Sequence, residues 1–247
     1  MNLNEFTGIV RRCVDDYRMI NEGETIAVGV SGGKDSISLL CALAKLKDFY
    51  PNRFSIHAVT LDMGFDGMDF SPVKRLCEQL AVPCTIKKTE LAHVIFDIRS
   101  EKNPCALCSK MRRGALNELT VELGIKKIAL AHNYNDAIET FLMSLLYEGR
   151  LYSFQPVTYM SRTDITQIRP MLYAEEETIR NLVRSCGLPV VENVCPQNGA
   201  SKREEIKALI KTLSLSYPDL KTKIFGSMQR LPLEGWKPRD RNIDDRK

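Results

Sequence analysis

The sequence predicts an α/β protein with a doubly wound, mainly parallel sheet and extra helices at both ends. Short apolar runs of strand character alternate with stretches of helical periodicity, which is the pattern of βα repeats. The first apolar run passes into a helix through a glycine-rich bend, Ser31-Gly32-Gly33-Lys34-Asp35-Ser36. The chain has 247 residues, enough for one good core with small additions. The expected division is an N-terminal helix over 1–23, a principal domain over 24–232 that includes the C-terminal helices, and a mobile tail over 233–247.

Taken in order, residues 4–20 place Phe6, Ile9, Val10, Val14, Tyr17 and Ile20 along one side, predicting a helix that Gly23 ends. Ile26, Ala27, Val28 and Val30 read as a buried strand, and Ile37, Leu39, Leu40, Cys41 and Leu43 as the apolar side of a helix over 37–48. Pro51-Asn52 punctuates before a second strand, Phe54 to Leu61, giving a βαβ unit with parallel strands and a right-handed crossover. A helix over 71–81, a strand from Cys84 to Lys87 and a weaker helical pattern near 90–99 make the next repeat. A helix from Ser109 to Leu123 leads to the strand Lys127–Ala131, which ends at His132. The following helix begins within Asn133–Thr140 and stops at Gly149. Thr166 to Pro170 supplies a short strand with Arg169 at its C-terminal end. Helices follow from Glu175 to Cys186, from a Ser201 cap to about Leu213, and over 219–231. Glu234 to Lys247 is charged and nearly free of aliphatics, hence the expected mobility.

Composition is that of an ordinary soluble protein, 44% hydrophobic and 27% charged. No apolar run approaches the ~20 residues that span a bilayer. Met1-Asn2-Leu3-Asn4-Glu5 lacks a signal-peptide pattern, so a cytoplasmic protein without membrane association is expected. The net charge of +4 permits a polyanionic partner without demanding one. Two basic clusters, Lys110/Arg112/Arg113 and Lys202/Arg203/Lys207, read equally as solvated helix faces or as contacts for such a partner. Eight cysteines in such a chain point away from disulfides and toward metal ligation, catalysis or packing. Cys13, Cys41, Cys77 and Cys84 fall among apolar residues, where packing accounts for them.

The bend at residues 31–36 is built for phosphate. Its glycines let main-chain N–H groups approach a ligand, the helix start adds unpaired donors, Lys34 adds a cation, and Ser31 and Ser36 add hydroxyls. Spacing excludes the Walker loop, which needs glycine where Val28 stands and Ser or Thr where Asp35 stands; GxGxxG is absent too. Ser31-Gly32-Gly33-Lys34-Asp35-Ser36 resembles the SGGxDS loop of the PP-loop ATP pyrophosphatases. That resemblance implies a fold like the adenine nucleotide alpha hydrolases, β,γ-pyrophosphate held by residues 31–36, and transfer of AMP to a substrate oxygen. Asp62, at the end of the second strand, lies where such a sheet places its ligands. Backbone groups beside it are candidates for an adenine contact, and its side chain is equally a cap for the next segment. Asp136 reads either as the partner of Asn133 in a capping arrangement or, with Glu139 three positions on, as a carboxylate placed to hold Mg²⁺ or handle a proton.

Cys105-Ala106-Leu107-Cys108 is ambiguous by itself. A helix start lowers thiol pKa and favours metal binding, yet no second close pair completes a zinc site, and a thioredoxin-like dithiol belongs after an early strand. Cys195, in a Pro-flanked loop, makes a third thiol. Three thiolates suit an iron–sulfur cluster with one open iron, with free thiols as the alternative. Pro104-Cys105-Ala106-Leu107-Cys108, Arg112-Arg113-Gly114-Ala115-Leu116, Ile128-Ala129-Leu130-Ala131-His132-Asn133, Arg169-Pro170 and Cys195 together resemble the TtcA family of ATP-dependent tRNA 2-thiocytidine synthetases. The resemblance covers roughly residues 5–230. It implies a [4Fe–4S] cluster on Cys105, Cys108 and Cys195, with ATP and Mg²⁺ in the loop. The chain departs from the family pattern at Asn135, where an aspartate is usual, and at Glu192, where a further cysteine is common.

The expected enzyme is thus an ATP-dependent tRNA sulfurtransferase that adenylates the C2 oxygen of a cytidine and replaces it with sulfur. Asp136 and Arg112 are its candidate catalytic residues, and Ser31 to Ser36, Asp62, His132 and Arg169 bind the nucleotide. Expected partners are tRNA, a sulfur donor such as a cysteine desulfurase or free sulfide, and, as one option, a second copy of the chain in a homodimer. Two alternatives stay open: a PP-loop enzyme adenylating a small-molecule acceptor, and a metal-bearing regulator that binds nucleotide without turnover.

Overall fold

A computed structural model describes residues 1–99, 104–191, 194–195, 202–230 and 235–236. Helix α1 spans Leu3–Asp16, opened by a reciprocal capping box between Asn2 and Glu5. It ends earlier than its periodicity suggests because Arg18 turns left-handed at φ 47° and Met19 N–H returns to the Val14 carbonyl. Strand β1 (Glu24–Gly29), helix α2 (Lys34–Leu46) and strand β2 (Phe54–Asp62) form the expected first βαβ unit. Helix α3 (Ser71–Gln79) and strand β3 (Cys84–Lys88) extend it. The weak pattern near 90–99 is a single α turn, α4 (Leu91–His93), running on as a π-helix over Val94–Ile98.

Helix α5 (Pro104–Glu122) contains the cysteine pair in its first turns rather than starting after it at Ser109. Proline suits a first helical position because its missing N–H would have had no partner there. Strand β4 (Lys127–Ala129) leads to α6 (Tyr134–Glu148), which Gly149 closes in the left-handed conformation. Strands β5 (Val157–Met160) and β6 (Ile165–Ile168) form a hairpin the sequence reading lacked: only the second was expected, and the first is a short, half-buried edge strand. Helices α7 (Glu176–Cys186), α8 (Lys202–Ser216) and α9 (Leu220–Arg230) complete the described elements; the expected Ser201 cap lies outside the described residues.

The sheet order is β3-β2-β1-β4-β6-β5, all parallel except β5. The fold class is therefore as expected, with an antiparallel edge added. Ile26, Val28, Ile56 and Ala58 face α1, α2 and α7 on one side, while Ala27, Val59 and Ile128 pack with Leu119 and Ile125 on the other. Burial on both faces is what makes these strands continuous apolar runs. The order in which strands are added reverses between β1 and β4, so the loops after these two parallel strands flank the crevice at the carboxyl edge of the sheet, where open α/β sheets bind ligands. Trp236 falls within the stretch expected as a tail, yet it is fully buried: Tyr17 Oη donates to its carbonyl at 3.3 Å and its ring meets Phe225 edge-on at 5.5 Å. The rest of that stretch, other than Gly235, lies outside the described residues.

Candidate active site at the carboxyl edge of the sheet

The bend between β1 and α2 is wound around two serines. Ser36 Oγ accepts from Ser31 N–H at 3.1 Å and donates to the Gly33 carbonyl at 2.9 Å, while Ser31 Oγ lies 3.2 Å from Ser36 Oγ and 3.4 Å from Gly33 N. Gly32 holds φ +85°. A Cβ there would sit 2.8 Å from Cβ of Val191, so glycine is required both by conformation and by this close approach. No side chain caps α2, whose N-cap is Gly33, which leaves its first N–H groups facing the crevice as donors for an anion.

Lys34 Nζ lies 2.7 Å from Asp35 and 3.1 Å from Glu176 on α7. These carboxylates outweigh burial and raise its pKa, keeping the ammonium charged in the crevice. Asn133 Nδ2 donates to the other Asp35 oxygen at 3.1 Å, tying the loops after β1 and β4 together. Glu176 went unnoticed in the sequence because an acidic residue in a first helical turn is ordinary. Asn135, the departure from the family pattern, accepts from Glu176 N–H at 3.0 Å and so satisfies one open donor of α7.

Asp136 and Glu139 do share one side of α6, as their spacing predicts, but the cation between them is Arg203. Its Nη1 reaches Asp136 at 3.4 Å and Glu139 at 3.0 Å. Asp136 also completes the capping box with Asn133, the first of the two readings of that residue. Burial raises the pKa of both carboxylates, with Arg203 opposing. Arg203 is consequently turned inward rather than presented to a partner with Lys202. Glu139 is only 2% exposed, so Arg203→Met is expected to cost about 3–5 kcal/mol in urea unfolding by leaving a buried charge unpaired. A carboxylate with a raised pKa binds its proton more tightly folded than unfolded. Stability contributed by Glu139 is therefore greatest below the unfolded value of 4.5 and declines as pH rises, and the variant should show a steeper decline than the wild type.

His132 and Arg169 form the far wall with Phe154, whose ring lies 4.7 Å from the imidazole and 5.0 Å from the guanidinium carbon. Burial and the nearby Arg169, Arg203 and Arg113 depress His132 to about 3, so the imidazole is neutral. Its Nδ1 is buried with no hydrogen-bond partner among the described residues. Arg169 is 6% exposed and, among the described residues, its side chain bonds neutral oxygens, those of Gln155, Thr158 and Gln167. A buried cation without a carboxylate pays desolvation, which lowers Arg169 to about 10 and suits the wall to anionic groups. Asp62 stands apart from this wall: its carboxylate accepts from Gly64 N–H at 3.0 Å, and its carbonyl receives Thr89.

The three candidate ligand cysteines are on the surface side of the crevice, Cys105 exposed and Cys108 and Cys195 half-buried. Burial raises the Cys108 thiol, Arg112 opposes this by hydrogen bond and charge, and Cys195 and Cys105 both add to the rise. Among the described residues no set of three His, Cys, Asp or Glu closes on a single metal ion. Val191, four residues before Cys195 in sequence, donates its N–H to the Gly32 carbonyl of the phosphate loop at 2.9 Å. The remaining cysteines are elsewhere: Cys13, Cys41 and Cys77 are buried, Cys84 is half-buried on β3, and Cys186 ends α7.

Residues 6–213 match the PP-loop domain family. The chain is 35% identical over 225 residues to a tRNA-cytidine(32) 2-sulfurtransferase of Pelobacter propionicus, covering 90% of this chain and 84% of that protein. It is 30% identical over 224 residues to tRNA-cytidine(32) 2-sulfurtransferase 2 of Francisella tularensis, covering 90% and 89%. The U34-tRNA thiolase NcsA from Methanococcus maripaludis, solved with its [4Fe–4S] cluster, shares the fold with a TM-score of 0.75 at 22% identity, over 92% of this chain and 78% of that one. With the loop, the crevice and the cysteines placed as above, the chain belongs to the TtcA family of PP-loop ATP pyrophosphatases.

Proposed function

We propose that the chain, like the relatives named above an ATP-dependent sulfurtransferase, thiolates a cytidine of tRNA at C2. The observation that supports the reading is the hydrogen bond from Val191, four residues before Cys195 in sequence, to Gly32 of the phosphate loop. In the proposed first step the C2 oxygen attacks the α-phosphorus of ATP and pyrophosphate leaves. In the second, sulfur bonds to C2 and AMP departs with the oxygen.

Lys34, the hydroxyls of Ser31 and Ser36 and the N–H groups from Gly32 to Ser36 would neutralise the leaving pyrophosphate, a preorganised arrangement that needs little rearrangement as charge develops. Lys34 would exchange Glu176 for phosphate oxygen. Mg²⁺ accompanying ATP would be met by Asp35 and Asp136, whose charges already disfavour one another. Backbone groups at Asp62–Gly64 would receive adenine, and His132 and Arg169 would face anionic groups along the wall. When bound, a [4Fe–4S] cluster on Cys105, Cys108 and Cys195 would supply an open iron where sulfur is carried. Arg112, hydrogen-bonded to Cys108, would steady negative charge beside it.

The test is anaerobic incubation of the full chain with ATP, Mg²⁺, sulfide and transcribed tRNA, followed by nucleoside analysis. The expected result is 2-thiocytidine formed in step with AMP. AMP formed only with a small carboxylate acceptor would support the amide-forming alternative, and nucleotide binding without AMP would support a regulator.

A further inference from the structure

The last turns of α6 and the segment after it expose apolar and aromatic side chains that the core does not use: Leu146 is 54% exposed, Tyr147 46%, Leu151 58% and Tyr152 49%. Both tyrosines are associated with cations. Lys202 Nζ lies 4.8 Å from the centre of the Tyr147 ring, and Arg150 Cζ lies 5.5 Å from that of Tyr152. Tyr147 is further fixed by donating its hydroxyl to Glu205 at 2.9 Å. Rings held at the surface beside positive charge match the two features of unpaired RNA, flat bases and a phosphate backbone.

The patch is continuous with the crevice. Tyr152 is two residues from Phe154 and lies near enough for its phenol to act on Arg169. Tyr147 is two turns along α6 from Glu139, about 12 Å at 1.5 Å per residue. That is the reach of about three or four stacked nucleotides. Lys202 is also next in sequence to Arg203, which pairs with Asp136 and Glu139.

We infer that Tyr147 and Tyr152, with Arg150 and Lys202, form a stacking platform for unpaired bases of an RNA loop, a few nucleotides from the base entering the crevice. The inference rests on the RNA substrate proposed above and adds the surface that holds it. Stacking on this patch would stabilise the open loop and leave the target base free to leave its stack.

The full chain would be compared with Tyr147→Ala, Tyr152→Ala and the double variant by fluorescence anisotropy. The probes are a labelled RNA hairpin with an unpaired loop and the same stem as a blunt duplex. Each alanine should weaken hairpin binding about tenfold with the salt slope unchanged, whereas Arg150→Ala and Lys202→Ala should each lower the slope by about 1. Tyr147→Phe and Tyr152→Phe, which keep the ring, should bind the hairpin as the wild type does, and duplex binding should be the same in all tyrosine variants. Hairpin binding by the double alanine variant equal to wild type would overturn the platform while leaving thiolation standing. A wild-type dimer that the double variant turns into a monomer, with RNA affinity unchanged, would also overturn it and assign the patch to self-association. Failure of the wild type to bind either RNA would overturn both the platform and the proposed substrate.

Discussion

Cys195→Ala is expected to lose most iron and all thiolation after anaerobic reconstitution, and Cys105→Ala and Cys108→Ala should behave alike. Each thiolate would supply one of only three protein bonds to the cluster, so losing any one leaves two irons open. The placement of the other cysteines makes the contrast sharp. Cys13, Cys41 and Cys77 are buried among core side chains, Cys84 lies on β3, and Cys186 is exposed at the end of α7. Alanine at these five positions should retain iron, with a stability loss of about 1 kcal/mol at most for trimming a small buried group. Iron content and visible absorption are the measurements, with ATP binding as an internal control that should survive in every variant. A full cluster in Cys195→Ala would exclude three-cysteine ligation and, with it, an open iron as the sulfur carrier.

Lys34→Ala and Asp35→Ala should abolish AMP release while leaving fold and iron content intact. Removing one preorganised electrostatic contact typically costs ~3 kcal/mol of transition-state stabilisation, roughly a hundredfold in rate. The structure gives each variant its own reason. Lys34→Ala deletes the cation that Asp35 and Glu176 share, leaving two carboxylates beside the site a phosphate would occupy. Asp35→Ala also breaks the bond from Asn133 that joins the two loops flanking the crevice. Circular dichroism, iron content and AMP formation measured together separate these effects from misfolding. Full turnover by either variant would remove the phosphate-loop assignment.

The phosphate loop was legible because its function is local: six consecutive residues, a strand before them and a helix after them suffice to define the geometry. The parallel strands were legible for a related reason, since burial on both faces makes Ile26 to Val28 and Ile56 to Val59 apolar without interruption. The edge strand Val157–Met160 escaped because a half-buried strand carries half that signal. Helix α5 starts at Pro104 rather than Ser109, so it takes in the cysteine pair, which reads from sequence as the opening of the helix rather than as part of it. Contacts that join distant segments left no local trace. Arg203 reads as one of a basic cluster until α8 brings it onto Asp136 and Glu139, and Glu176 reads as a routine helix opener until α7 brings it to Lys34. The neutral His132 beside Arg169, its Nδ1 without a hydrogen-bond partner among the described residues, is likewise a property of the packed wall rather than of either neighbourhood in sequence.

The close seat of Val191 on Gly32 has a thermodynamic side. The carbonyl that Val191 holds belongs to the same short bend that would grip pyrophosphate, and no Cβ can be inserted between the two segments without forcing them apart. A ligand that stiffens the bend therefore stiffens the backbone at Val191, and one that holds Val191 stiffens the bend. Such coupling is reciprocal: whatever factor a ligand of the bend adds to the order of Val191, an ordered Val191 returns to the affinity for that ligand.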